Sequence, residues 1–289
     1  MYLAPEFWRI YRSGLESRNL LESTINGCAE HGIHGGSTKD ETEMHFAHRF
    51  PNSSSRVEAA ILDPKSDLGT IPVELQATFS SGKVKLLDVP CGCGAATISV
   101  LTTLHALRRA RLQPALPLDV EIFAADISTH ALQIFDQLME ELHPIIERSG
   151  IRVNWTTRRW DAAKIPQTSK LCDDWLTGIV IEAEHVVIIS NISGVKEKGF
   201  EKLFEGSIDH IAARISNCTS TLLWVEPGPT SGYEFLKWIV KKFAASWNWL
   251  VDENGPVAST TEFLWWHGLQ RKEFNGSATV VRYERKPDV

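Results

Sequence analysis

Acids stand where several apolar runs of this chain end, and small or turn-forming residues follow them. Asp88 closes Val84-Lys85-Leu86-Leu87 and leads into Val89-Pro90-Cys91-Gly92-Cys93-Gly94-Ala95-Ala96-Thr97. Gly92 and Gly94, one residue apart, leave bare backbone in front of residues that suit the first turn of a helix. A parallel α/β sheet uses such a turn to hold a nucleotide-type ligand beyond the carboxyl ends of its strands. Asp126 closes Val120-Glu121-Ile122-Phe123-Ala124-Ala125 and precedes Ile127-Ser128. Its carboxylate is suited to accept both hydroxyls of a ribose, or alternatively to cap the helix that follows. Ser190-Asn191-Ile192-Ser193-Gly194 leaves another apolar run. Asn191 there either hydrogen-bonds a ligand or tolerates a left-handed turn. Glu226, in Trp224-Val225-Glu226-Pro227-Gly228, either orients a substrate group or a helix or is an exposed acid on a rigid turn.

The elements that must position these residues alternate. Strands are expected over 84–89, 120–125, 152–156, 184–190 and 221–226, with helices over 95–109, 130–148, 199–216 and 232–247. That alternation predicts a parallel sheet with helices on both faces. Runs 262–266 and 278–285 have only a short polar linker between them and should pair as an antiparallel hairpin. Residues 1–80 read as a helical segment, a cap or substrate segment ahead of a ligand-binding domain over 81–289. Helical spacing over 7–21 is followed by a Gly-rich break at 32–38. Thr38-Lys39-Asp40-Glu41 then restarts a helix in the manner of a capping box. Pro51-Asn52-Ser53-Ser54-Ser55 is expected to interrupt that helix, with another turn or two over 56–62.

The Asp88–Gly94 segment resembles motif I of class I S-adenosylmethionine-dependent methyltransferases, D/E-x-G-x-G-x-G. Asp88 fills the acidic position, Gly92 and Gly94 are in place, Ala96 is a further small residue, and Pro90 replaces the first glycine. Proline fixes φ and has no N–H, so that turn position must neither donate nor need a positive φ. The resemblance implies a Rossmann-like α/β fold, a seven-stranded mostly parallel sheet ending in an antiparallel C-terminal hairpin. It also implies S-adenosyl-L-methionine as cofactor and direct SN2 transfer of its methyl group, without a metal. Carried over residue by residue, Asp88, Pro90, Cys91, Gly92 and Gly94 form the cofactor turn, with Asp126 and Ile127 beside the ribose. Asp161 and Ala162 meet the adenine, with Trp160 either a ring that could cover it or a core side chain, unless Asp161 instead pairs with Arg158 or Arg159. Ser190 and Asn191 lie where such proteins place acceptor-facing or methionine-tail groups. No prolines follow Asn191, a departure from N/D-P-P-Y that counts against exocyclic base amines as acceptors. Glu226 and Arg49 are the substrate-side residues; Arg49 or Arg56 could reach the methionine carboxylate, or either is a solvated surface arginine. Over Val225-Glu226-Pro227-Gly228 and motif I alone, the chain also resembles the methyltransferase-like family of the mitochondrial small ribosomal subunit, though it lacks that family's cysteine cluster.

A net charge of −6 over 289 residues argues against a broad phosphate-binding face. No apolar run reaches the ~18–20 residues of a membrane span. The amino end lacks a basic stretch followed by an apolar one, so a secretory signal is not expected. Five cysteines without a C-x-x-C pair suit a reducing, cytoplasmic setting and no metal. Trp238, Trp247 and Trp249, interleaved with Lys237, Lys241 and Lys242, could stack bases or instead pack in the core or an interface. RNA therefore heads the acceptor classes, with small molecules and proteins open. Two other functions compete: an inert cofactor-binding assembly factor, and a nicotinamide-dependent oxidoreductase, against which Thr97 stands in place of the third glycine.

Overall fold

The computed structural model describes residues 1–27, 36, 38–177, 183–192, 200–215, 218–228 and 257–285. Strands β1 Gly82–Asp88, β2 Leu118–Asp126, β3 Ile151–Arg159, β4 Ala183–Ser190 and β5 Ser220–Pro227 pair in parallel. Strands β6 Val257–His267 and β7 Lys272–Arg285 form an antiparallel hairpin, and β7 pairs antiparallel with β5. The order is β3-β2-β1-β4-β5-β7-β6. This is the seven-stranded, mostly parallel Rossmann-like sheet with an antiparallel C-terminal hairpin that the methyltransferase resemblance implies. β1 has β2 on one side and β4 on the other, so the order reverses there. A crevice opens at the carboxyl ends of strands at such a reversal, and ligands bind in it.

Side chains alternate between the two sheet faces. Val84, Leu86, Val120, Ile122, Val186 and Ile188 pack with the N-terminal helices and with α5 Ala95–Arg109 and α6 Thr129–Ile146. Leu87, Val89, Phe123, Ala125, Val187 and Ile189 pack under α7 Ile165–Leu176 and α8 Phe200–Ile215. The N-terminal helices α1 Pro5–Glu16, α2 Leu21–Ile25, α3 Lys39–Leu62 and α4 Ile71–Thr78 thus contribute to the same core as the first face. Among the described residues no helix is long and apolar enough to cross a membrane.

Two local expectations change. The capping box forms: Thr38 Oγ1 accepts the Glu41 N–H at 3.3 Å, and Glu41 Oε2 accepts the Thr38 N–H at 3.2 Å. The helix it starts does not stop at Pro51, however; it runs 24 residues, a span of about 36 Å. A proline inside a helix orphans the carbonyl four residues earlier, here that of Ala47. The buried Tyr11 hydroxyl donates to that carbonyl at 2.6 Å and replaces the missing bond. Helix α7 carries no clear sequence signal, because Pro166 and short apolar spacing obscure it. The helix expected over 232–247 lies outside the described residues.

Candidate active site

Asp88 is fully buried, and its Oδ2 accepts both the Thr97 hydroxyl at 2.6 Å and the Thr97 N–H at 3.3 Å. It therefore ties the end of β1 to the first turn of α5. Its Oδ1 is buried without a partner among the described residues. Burial pushes its pKa from an ordinary 3.8 up to about 7. The chain then turns through a cis Val89–Pro90 bond. The Cys91 N–H reaches the Ala125 carbonyl at 2.9 Å, and the Gly94 N–H reaches the Cys91 carbonyl at 2.8 Å.

The two glycines do different things. At Gly94, φ is +90°, and a Cβ would meet Phe135 Cδ2 at 2.4 Å, so only glycine fits where α5 begins. At Gly92, φ is +52°, and a Cβ would meet no described atom within 4 Å. Gly92 is the bare backbone of the turn, beside open space. Cys91 and Cys93 are buried and, chiefly through that burial, remain thiols rather than thiolates.

Asp126 closes the turn from β2. Its Oδ2 accepts the Gly92 N–H at 2.9 Å and its Oδ1 the Ser128 N–H at 2.8 Å. The helix cap is Ser128, whose hydroxyl accepts the Ala131 N–H at 3.2 Å, so Asp126 does not fill that role. Burial raises the Asp126 pKa, while its three backbone N–H contacts, from Ser128, Gly92 and Ile127, oppose the rise. Each carboxylate oxygen has a further lone pair for a ligand hydroxyl. Beside it Ile127 is 55% exposed, an apolar surface at the mouth of the turn.

The Trp160 N–H bonds the Asp126 carbonyl at 2.9 Å and joins the ends of β2 and β3. Of the two roles open to it, the indole takes that of a core side chain rather than of a ring over a ligand. It is 2% exposed, donates from Nε1 to Thr168 Oγ1 at 2.9 Å, and packs edge-on against Phe204. Its large ring fills the core under α7 and α8; Ile127 holds the exposed apolar position instead. Asp161 pairs with neither Arg158 nor Arg159 but with Lys164 at 3.3 Å, and its Oδ1 accepts the Ala163 N–H at 3.0 Å. The Ala162 carbonyl accepts the Ser207 hydroxyl at 2.7 Å, and Ser207 in turn bonds Thr168 at 2.6 Å. This buried hydroxyl chain fixes the loop that carries Asp161.

Across the order reversal, Ser190 ends β4 half-buried, and Asn191 follows with φ +56°, in the left-handed region asparagine tolerates. Glu226 is fully buried rather than exposed on a turn. Its Oε1 accepts the Ile192 N–H at 3.0 Å and the Trp224 Nε1–H at 2.9 Å, which binds the ends of β4 and β5 together. Asn191 Oδ1 accepts from Arg56 Nη1 at 2.8 Å, and Arg56 Nε donates to the Ser277 carbonyl at 3.3 Å. Arg49 stays exposed, two helical turns before Arg56. Thus Arg56, not Arg49, makes the contact to the strand ends. Reading Pro51 as a break hid the fact that both arginines share one helix.

Helix α3 crosses the carboxyl edge of the sheet from one side of the crevice to the other. Thr42 and Ser128 hydroxyls meet at 3.1 Å, the Ser99 hydroxyl donates to the Ser54 carbonyl at 3.0 Å, and Arg56 reaches Asn191. No family model and no curated protein sequence matches the chain. Solved structures similar to it include a precorrin-6y C5,15-methyltransferase from Geobacter metallireducens, at 11% identity and TM-score 0.36, over 79% of this chain and 97% of that one. Another is a SAM-dependent methyltransferase from Aquifex aeolicus, at 11% identity and TM-score 0.37, over 80% and 97% of the two chains. A third is the N-terminal domain of human METTL16 in complex with SAH, at 12% identity and TM-score 0.36, over 78% and 66%.

Proposed function

We propose that this protein is an S-adenosylmethionine-dependent methyltransferase whose cofactor lies at the carboxyl edge of β1, β2 and β4. One observation carries the reading: at the order reversal, Asp126 holds the N–H of Gly92, and open space and the exposed Ile127 flank that contact. The residues fit the cofactor. Asp126 has lone pairs for ribose hydroxyls, Ile127 offers an apolar surface to a base, and two buried carboxylates, Asp88 and Asp126, supply negative potential near a cationic ligand. When bound, S-adenosylmethionine supplies an already activated methyl group. The protein's task is then to hold the acceptor in line with the sulfur and to exclude water. Helix α3 lies over that edge and is suited to both.

A nicotinamide cofactor fits less well. The position of a third glycine belongs to Thr97, whose side chain and N–H are both bonded to Asp88. The preference for RNA rests on the Lys/Trp pattern over 237–249, which lies outside the described residues. Titration calorimetry tests the reading. S-adenosylhomocysteine should bind and NAD should not, and Asp126→Ala should abolish the binding. Binding of NAD alone would overturn the assignment, and binding without methyl transfer to any extract fraction would leave the inert alternative.

A further inference from the structure

The amide of Asn191 has a forced orientation. A guanidinium has only donors, so the atom facing Arg56 Nη1 at 2.8 Å must be the carbonyl oxygen Oδ1. Arg56 is itself held through Nε by the Ser277 carbonyl. That leaves Nδ2, which is buried and has no partner among the described residues, although two protons on it need acceptors. The polar group left over at the end of β4 is therefore a donor. An amine acceptor would need the reverse, a carbonyl or carboxylate to receive its protons. Burial, with the nearby charge of Arg49, lowers the Arg56 pKa to about 10, against the pull of Glu226, and the side chain remains cationic near neutrality.

The surroundings narrow the ligand further. Arg56 meets this end of the crevice from α3, with the charge of Arg49 nearby, and neither arginine nor Asn191 can take a proton. Glu226, the nearby acid, is fully buried and engaged through Oε1 by Ile192 and Trp224. A nucleophile that arrives already ionised needs no base.

Resting on the methyl-transfer reading, we infer that the acceptor is a carboxylate, bound through Asn191 Nδ2, with Arg56 as the residue that positions the amide. In the step, a lone pair of the carboxylate oxygen forms the new O–CH3 bond while the S–CH3 bond breaks and its electron pair stays on sulfur. No proton is released, and the products are a methyl ester and S-adenosylhomocysteine.

The test uses the full-length protein with tritium-labelled S-adenosylmethionine and three separate extract fractions: small organic acids, tryptic peptides and total RNA. Carboxyl methyl esters release labelled methanol in mild base, whereas N- and C-methyl groups do not. Base-labile label in the acid or the peptide arm supports the inference and shows which source supplies the carboxylate. Asn191→Asp keeps the Arg56 contact and the left-handed backbone but replaces the donor with a repelling carboxylate. It should cut base-labile transfer about tenfold or more while S-adenosylhomocysteine affinity stays within about threefold. Arg56→Lys should restore part of the acceptor KM lost in Arg56→Met. Base-stable label, transfer to RNA alone, or bound S-adenosylhomocysteine with no transfer would overturn the inference. So would an Asn191→Asp variant that loses cofactor affinity, which would assign the donor to the methionine tail. Failure of S-adenosylhomocysteine to bind the unaltered protein would instead remove the reading beneath it.

Discussion

The two halves of the crevice are built by different means. On the β1–β2 side, carboxylates from strand ends hold backbone N–H groups and helix starts: Asp126 holds Gly92 and Ser128, and Asp88 holds Thr97. These three partners lie 34, 2 and 9 residues away along the chain. On the β4–β5 side, Asn191 is oriented by Arg56, 135 residues away, and Arg56 by Ser277, 221 residues away. The first half is a local turn motif. The second repeats the strand-end carboxylate at Glu226, which holds the Ile192 N–H, but its Asn191 amide is oriented only because a distant helix lies across the sheet edge. The lesson is that the turn proposed to hold the cofactor is encoded compactly, whereas the edge proposed to take the acceptor is assembled from remote parts.

Substitutions should separate the halves. Gly94→Ala is expected to be the most damaging, since the added Cβ meets Phe135 Cδ2 at 2.4 Å and φ is +90°. A loss of about 2–4 kcal/mol is expected from overpacking and left-handed strain together, read by urea unfolding. Gly92→Ala, with no described atom in the way, should cost only the backbone strain, about 1–2 kcal/mol. Equal losses at the two glycines would break the distinction drawn between them.

Asp126→Ala strands the Gly92 and Ser128 N–H groups and should cost about 2 kcal/mol of stability along with cofactor binding. Asn191→Ala should leave the β1–β2 side intact by the same calorimetry; loss of cofactor binding there would merge the two halves. Tyr11→Phe sharpens the comparison from the helix that joins them. With Pro51 lacking an N–H, the Ala47 carbonyl would be left unbonded, at about 1–3 kcal/mol, and α3 should loosen over the edge. Hydrogen exchange along 39–62 would report it, and unchanged protection would show that water replaces the hydroxyl.

The smallest effect per step is on pH. Asp88 is raised from 3.8 to about 7 by burial, so between those values the folded protein binds more protons than the unfolded chain. Stability should therefore fall as pH rises from about 4 to about 7, with a slope of at most about 1.4 kcal/mol per pH unit from this group. Asp126, also raised, acts in the same direction. A cationic ligand at the site favours the ionised carboxylates, so cofactor affinity should rise over the same window. Calorimetry at pH 5 and 7 checks the sign; affinity that falls with pH would place the cation away from both acids.

What could be read in advance follows from how locally each feature is specified. The α5 limits 95–109, the strand positions and the hairpin came through because hydrophobic period, glycine placement and a short polar linker act within a few residues. Asp88, Gly92, Gly94 and Asp126 share that property. Other residues left two readings open for one common reason, that burial is decided by what packs on them. Trp160 has the place of a stacking ring but fills the core under α7 and α8, and Glu226 has the place of an exposed acid but joins β4 to β5. Pro51 signals a break, and Tyr11, forty residues earlier, cancels it.

The amino-acid sequence by itself determined the alternating strand–helix order and the acid–glycine turn, because propensity and periodicity act between chain neighbours. The tertiary structure alone decided which arginine meets Asn191, which way that amide faces, and which acids are buried. Those depend on contacts between residues that no local pattern brings together.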